Sequence, residues 1–255
     1  PVPDEHGIGA SRASLALARS AAAGDVVLVL LSGGASALWS APIGGITLAD
    51  KQALTRQLLK AGARIDEMNA VRRHLSAIKG GRLAVAATSS GAKLVTLAIS
   101  DVPRDDPATI GSGPTVPDPT TLADARTVLA RHLITPPPAI ASALGDPANE
   151  TPKPGDPRLA TSVYKIVARP AESLAAAAEH ASRQGYEPMI LGDAIEGEAA
   201  EVARAHAELA LRVQRDGKRA AILSGGELTV TIRGNGRGGP NQEYALALAV
   251  ALDGV

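Results

Sequence analysis

The chain contains no cysteine and no phenylalanine, and its aromatic residues are one Trp and three Tyr among 255 positions. Without cysteine there are no disulfides, no thiolate nucleophile and no cysteine metal site, which fits a reducing compartment. So few aromatic rings leave little with which to stack nucleic-acid bases, and the core must be built from Ala, Leu, Val and Ile in close-packed layers. Neither sign of charge is in excess, because 26 basic residues balance 26 acidic ones. No net field draws the protein to nucleic acid or to an anionic membrane, and a small-molecule partner is the better expectation. No apolar run approaches the roughly 20 residues that span a bilayer, and no basic stretch followed by an apolar one opens the chain, so the expected location is the cytoplasm. The five His are too scattered to form a metal cluster. The chain opens on PVPDEHG, without Met, and closes in YALALAVALDGV while an apolar pattern is still running, so a fragment lacking both ends is expected.

With 45% hydrophobic and 20% charged residues, the composition is that of a globular protein with a full core. Apolar runs alternate with helical patterns along the whole length. DVVLVLL, KLVTLAIS, SVYKIVA, EPMIL and RAAILSGG read as strands, and the continuous apolar character of the first is that of a parallel strand buried on both faces. Between them lie helical stretches, one of which opens on Thr47 and Asp50 as a capping box. Another, IDEMNAVRRHLSAIKGGRLAVAAT, is expected to run as helix until Gly80-Gly81 breaks it. LTVTIRG follows the last strand so closely that the two are expected to pair antiparallel. The pattern predicts an α/β fold with largely parallel sheets, whose binding sites lie at the carboxyl ends of strands. The Pro-rich stretch 136–160 is the strongest shift in composition, and it is expected as a linker or crossover between an N-terminal domain, 1–135, and a second α/β region, 161–255.

Two strand-like runs end on the same phrase. LVLLSGGAS places Ser32, Gly33, Gly34 and Ser36 after the first strand, and AAILSGGEL places Ser224, Gly225, Gly226 and Glu227 after a late one. Glycines there bring backbone N–H groups close to a ligand, forming an anion cradle, although one such turn is equally explained as a tight chain reversal. GSGPT (Gly111, Ser112, Gly113) and RGNGRGGPNQE (Asn235, Gly238, Gly239, Asn241) add two more Gly-rich loops, and four together point to a polyanion. Neither the P-loop pattern nor a dinucleotide fingerprint in its proper strand-to-helix context is present, so a nicotinamide cofactor has no sequence support.

NAVRRHLSAIKGGRLA is the densest polar constellation. On a helix, Asn69, Arg72, Arg73, Ser76 and Lys79 or Gly80 fall at three- and four-residue spacings, so one face presents a cationic edge that ends at Gly80-Gly81. A solvated basic helix face is the alternative. Asp101, at the end of a strand, and Glu227 and Glu243, beside Gly-rich turns, are carboxylates of the kind that position Mg²⁺ or a substrate hydroxyl in phosphoryl transfer. Glu243 is equally placed as a first-turn partner of the helix dipole.

Long blocks of the chain resemble one family. PVPDE, VLVLLSGGASAL, GITLADKQALTRQLLKAGARIDEMNAVRRHLSAIKGGRLA, SDVPRDDPATIGSGPTVPD and LSGGELTVTIRGNGRGGPNQEYALALA are similar to the two-domain glycerate 2-kinases with a C-terminal MOFRL domain, relatives of which are often labelled hydroxypyruvate reductase. The resemblance implies two Rossmann-like α/β lobes around an interdomain cleft, and transfer of phosphate from ATP, with Mg²⁺, to the 2-hydroxyl of D-glycerate. It implies that Ser32 to Ser36, the Asn69 to Gly81 block, Asp101 and Gly111 to Gly113 line one side of the cleft, and that Ser224 to Glu227 and Asn235 to Glu243 close the other. Glycerate's carboxylate is then expected at Arg72 or Lys79, with Asn69, Ser76 and Gly80-Gly81 beside it, ATP phosphates on the Gly-rich backbone, and the metal or hydroxyl at Asp101 or Glu243. Family chains carry a further N-terminal segment with a catalytic lysine and a longer MOFRL part, both outside these 255 residues. Many relatives read GGRNQE where this chain has Pro240, which leaves Arg237 as the nearest substitute cation. An NAD(P)H-dependent hydroxypyruvate reductase and a catalytically silent nucleotide or sugar-acid binder are the alternatives, and the oligomeric state is open, a homodimer included.

Overall fold

A computed structural model of the chain describes residues 3–100, 102, 105–231, 234 and 236–253. The fold is α/β with parallel strand pairing, and it divides into two compact units, Pro1–Val167 and Ala168–Val255.

The first unit opens with α1 (Glu5–Ser20), capped by the Asp4 side chain, and then β1 (Val26–Leu31). A one-turn helix α2 (Ala35–Leu38) follows, and then α3 (Leu48–Lys60), which starts on the Thr47–Asp50 capping box that its sequence predicts. Next come α4 (Ile65–His74), α5 (Arg82–Thr88), β2 (Lys93–Ile99), α6 (Leu122–Arg131), α7 (Pro138–Gly145) and β3 (Ser162–Ala168). The sheet order is β1-β2-β3, with β1 and β2 parallel and in register from Val26 opposite Lys93 to Leu31 opposite Ala98. One aliphatic cluster joins α3, α4, α6 and α7 through Leu54, Leu58, Val71, Leu129, Ile140 and Leu144; a second joins α1, α5, β1 and β2 through Leu15, Ala84, Val29 and Leu94. Neither needs an aromatic ring at its centre.

Two expectations are corrected here, and one is narrowed. The first strand is not buried on both faces: Val26, Leu28 and Leu30 are exposed while Val29 and Leu31 are buried, Val29 in one cluster with Leu15 of α1 and Ala84 of α5. The helix of Asn69 stops at Leu75, well before Gly80-Gly81, because the Ser76 hydroxyl accepts from the amides of Ile78 and Lys79 and turns the chain. Of the two expectations for the Pro-rich stretch, linker or crossover, its place is that of a crossover: it lies between β2 and β3 of one sheet, α7 buries Ile140, Ala143 and Leu144 in the first unit, Thr151 is buried as well, and the boundary between units falls after Val167.

The second unit contains α8 (Pro170–Arg183), β4 (Glu187–Ile195), α9 (Ala199–Arg215), β5 (Ala220–Gly226) and α10 (Pro240–Leu252), with β4 and β5 parallel. Among its described residues the buried hydrophobic side chains are alanines, Ala178, Ala181, Ala199, Ala203 and Ala207. The expected antiparallel partner of β5 is absent among the described residues. Thr229 instead bridges Glu198 in parallel, its amide donating to Gly197 and its carbonyl accepting from Ala199. The segment is drawn there because Thr231 also bonds the Glu198 carboxylate through its amide and hydroxyl.

Candidate active site

In the first unit, three stretches picked out by sequence meet around one ammonium group. Lys79 is buried, and its Nζ donates to the carbonyl of Ser36 at 2.5 Å, to the carbonyl of Gly111 at 3.4 Å and to Ser112 Oγ at 3.4 Å. Ser36 Oγ and Ser112 Oγ lie 2.8 Å apart, and Ser112 Oγ lies 3.5 Å from Asn69 Oδ1. The loop after β1, the polar end of α4 and the Gly111–Gly113 turn are thus tied together. Gly111, Ser112 and Gly113 are all left-handed, with φ of 60°, 63° and 62°. Glycine adopts this freely; a buried serine does so only where its surroundings over-determine it, and here the hydroxyl's three polar neighbours do so. Burial first, then the charges of Lys51, Arg72 and Arg73, push the Lys79 ammonium well below the usual lysine range.

Beside this knot lies a cavity of about 270 Å³. Ser36, Ala37 and Ser40 of the α2 region form one wall, Arg72 and Lys79 another, and α3 the third, through Leu48, Lys51, Gln52, Thr55, Arg56 and Leu59. The α3 residues recur at three- and four-residue steps, one stripe of the helix. That stripe was legible, but the capping box is the only feature the sequence reading took from this segment, so Lys51 was missed. Burial and the neighbouring Arg72 push the Lys51 ammonium down to about 8. Burial likewise lowers the Arg72 guanidinium. Among the described residues no carboxylate lines the cavity, so its electrostatics are those of a site for an anion.

Other members of the polar block have structural employment. Arg73 turns away to a buried ion pair with Asp118 at 2.5 Å, and His74 bonds Glu150 at 2.9 Å, so neither a solvated basic face nor one continuous cationic edge exists. Ser76 is spent on the turn. The Gly80 and Gly81 amides, expected to meet a phosphate or carboxylate, donate instead to the carbonyls of Ser112 and Gly113 at 3.2 and 2.7 Å. Ser32, Gly33 and Gly34 are exposed, and only Ser36 of that loop enters the network.

In the second unit, the repeated Ser-Gly-Gly is strand, not turn. Ser224, Gly225 and Gly226 are the last residues of β5, with Ser224 opposite Gly192 and Gly226 opposite Ile195. Gly226 has φ of 136°, and a Cβ there would lie 2.1 Å from the Ile195 carbonyl oxygen, so only glycine fits. Gly226, Glu227 and Leu228 face Arg237, Gly238, Gly239 and Asn241 across a cavity of about 530 Å³, and Ser224 and Gly225 share a smaller one of about 200 Å³ with His206, Asn241 and Tyr244. Tyr244 OH and His206 Nδ1 are 2.8 Å apart. Gly239 caps α10, so the first-turn amides of Asn241 and Gln242 have no intrahelical acceptor, an arrangement that fits a phosphate. Glu243 sits in that first turn, its amide bonded to Gly239, and lines neither cavity. Asp101 and Asn235 lie outside the described residues. Among those described, no three His, Cys, Asp or Glu assemble into a metal-holding group.

Residues 1–145 match a family described as a domain of unknown function, DUF4147, and residues 220–255 match the MOFRL family. A glycerate kinase of Macaca fascicularis is 34% identical over 98% of this chain and 73% of its own length. The chain belongs to the glycerate kinase family. A D-glycerate 2-kinase of Thermotoga maritima is 39% identical over the whole chain and 60% of its own length, and the crystal structure of the glycerate kinase from that organism superposes with a TM-score of 0.81 over 100% of this chain and 60% of that one. An Agrobacterium vitis protein that carries the name hydroxypyruvate reductase is 50% identical over the whole chain and 58% of its own length. Against these last two relatives the chain spans about three fifths of their length. No described helix is long and apolar enough to cross a membrane.

Proposed function

We propose that the protein transfers a phosphoryl group from ATP to the 2-hydroxyl of D-glycerate, giving 2-phosphoglycerate. The observation that carries this reading is the small cavity of the first unit, lined by Lys51, Arg56, Arg72 and Lys79 with no carboxylate among the described residues, in a chain of the glycerate kinase family. Such a cavity suits a short acid, whose carboxylate the cations attract and whose carbons meet Ala37, Leu48 and Leu59. Bound ATP, delivered with Mg²⁺, supplies the phosphoryl group. In this reading the phosphates rest on the Ser224–Glu227 and Gly238–Asn241 backbone, Arg237 supplies the cation that Pro240 cannot, and Asp101 and Glu243 keep the roles that the resemblance implies.

The name carried by the Agrobacterium vitis relative favours a second reading, reduction of hydroxypyruvate by NAD(P)H. One experiment separates the two. The protein at its natural full length is given ATP, Mg²⁺ and D-glycerate while ADP release is followed, with a parallel trace of NADH and hydroxypyruvate. Glycerate-dependent ADP release yielding 2-phosphoglycerate is expected. NADH oxidation without ADP release overturns the kinase reading, and formation of 3-phosphoglycerate overturns the assignment to the 2-position.

A further inference from the structure

We infer that Lys51 and Arg72 together bind the carboxylate of the hydroxy acid, and that Lys79 is a positioning residue rather than a ligand. This rests on the proposed function for the identity of the acid, but not for the existence of the carboxylate site.

An ammonium has three protons to donate, and those of Lys79 go to Ser36, Gly111 and Ser112. Its charge is turned toward the knot it ties. Lys51 and Arg72 differ. They line the same cavity, and among the described residues neither has a hydrogen-bond or ion-pair partner, although both are partly buried. Partly buried cations with only other cations for company disfavour one another, and the cost is relieved when an anion joins them. Among the described residues the cavity's lining supplies none: α3 offers Arg56, the segment after α4 offers Lys79, and the α2 wall offers the neutral Ser36 and Ser40. Asp50, next in sequence to Lys51, is taken up by the capping box with Thr47. The Gln52 amide is likewise spent, donating to the Pro3 carbonyl at 2.8 Å. A cavity of about 270 Å³ holds a three-carbon acid with a few waters, each of which occupies about 30 Å³.

Charge also gives the site a pH signature. Lys51 titrates near 8 in the free protein, so raising the pH through that value removes one of the two charges that an acid needs. Anion affinity therefore falls on the alkaline side, and binding near pH 8 takes up a proton. Arginine at the same position keeps its charge throughout.

Calorimetric titration of the protein with D-glycerate, D-lactate, tartronate and glycerol tests this, on the wild type and on K51Q and K51R. The acids are expected to bind and the neutral triol is not. K51Q is expected to weaken the acids by about ten- to a hundredfold, the worth of a charged hydrogen bond. K51R is expected to restore binding and to lose the alkaline fall near pH 8, which a merely structural lysine would not show; it also carries the test if K51Q unfolds. Undiminished binding by K51Q, an alkaline fall that persists in K51R, or glycerol binding as well as the acids each overturns the inference. Lys51-dependent binding of lactate or tartronate but not glycerate upholds the carboxylate site and defeats glycerate as the substrate. Phosphorylation of glycerate with K51Q at wild-type KM upholds the kinase and defeats the site.

Discussion

The two Ser-Gly-Gly phrases occupy opposite situations. In the first unit the glycines follow the end of β1 in an exposed loop, Gly34 caps a one-turn helix, and the chemistry of the region is organised two residues on by Ser36 and a buried lysine. In the second the same three residues finish β5, pressed against β4 so closely that Gly226 has no room for a side chain. The difference teaches that a phrase of small residues permits a close approach without saying to what: a ligand, a helix or a neighbouring strand are alike to the glycine. The units around them differ too. The first buries leucines, isoleucines and valines in joined clusters, whereas the second buries alanines.

The sharpest break of this comparison is Gly226→Ala set beside Gly34→Ala. Gly226→Ala drives a methyl group into the Ile195 backbone and is expected to destabilise the protein by about 3 kcal/mol or more, with separation of the β4–β5 pair. Gly34→Ala meets only ordinary contact and carries the left-handed φ of 84° alone, so about 1 kcal/mol is expected. Urea unfolding of both variants, followed by hydrogen exchange at β5, measures the difference, and equal losses would remove the contrast.

A second, smaller effect separates the lysine knot from the cavity. Lys79→Met leaves the Ser36 and Gly111 carbonyls and the Ser112 hydroxyl without their donor, and a loss of about 2 kcal/mol in stability is expected, from unsatisfied buried groups offset in part by the ammonium's own desolvation. Its signature in kinetics is a fall in kcat larger than the rise in KM, since the loops are misplaced while Lys51 and Arg72 remain.

The smallest effect tests the remainder of the polar block as scaffold. Burial alone would raise the Glu150 carboxyl, but hydrogen bonds from Lys153, the Leu122 amide and His74 hold it down at about 2. A carboxyl lowered by folding contributes stability that is present above its ordinary value of 4.5 and is lost as the pH falls from there toward 2. With 35% of the side chain exposed, about 1 kcal/mol is expected after screening. Glu150→Gln should flatten the acid limb of the stability profile over that window, measured by unfolding at pH 5, 4 and 3, without changing the alkaline behaviour of anion binding.

Much of this architecture follows from local pattern. The runs of branched aliphatics at 26–31 and 93–99 make strands, Thr47 with Asp50 starts a helix, and the absence of phenylalanine already dictated an aliphatic core, because these are properties of neighbours in sequence and of side-chain shape. That the stretches holding Ser36, Asn69, Lys79 and Ser112 share one side of a site is what the family resemblance implies; the bonds among these four side chains belong to the tertiary structure. What only the tertiary structure decided are the questions of partner and direction: that Arg73 turns inward to Asp118 while Arg72 turns to the cavity, that Gly80 and Gly81 spend their amides on the 112–113 carbonyls, and that the second Ser-Gly-Gly pairs as strand. Lys51 belongs with these. Its helix is written in the local sequence, but its worth depends on the distant residues that surround it, since burial and unlike or like charge at a point in space are set by packing and not by spacing along the chain.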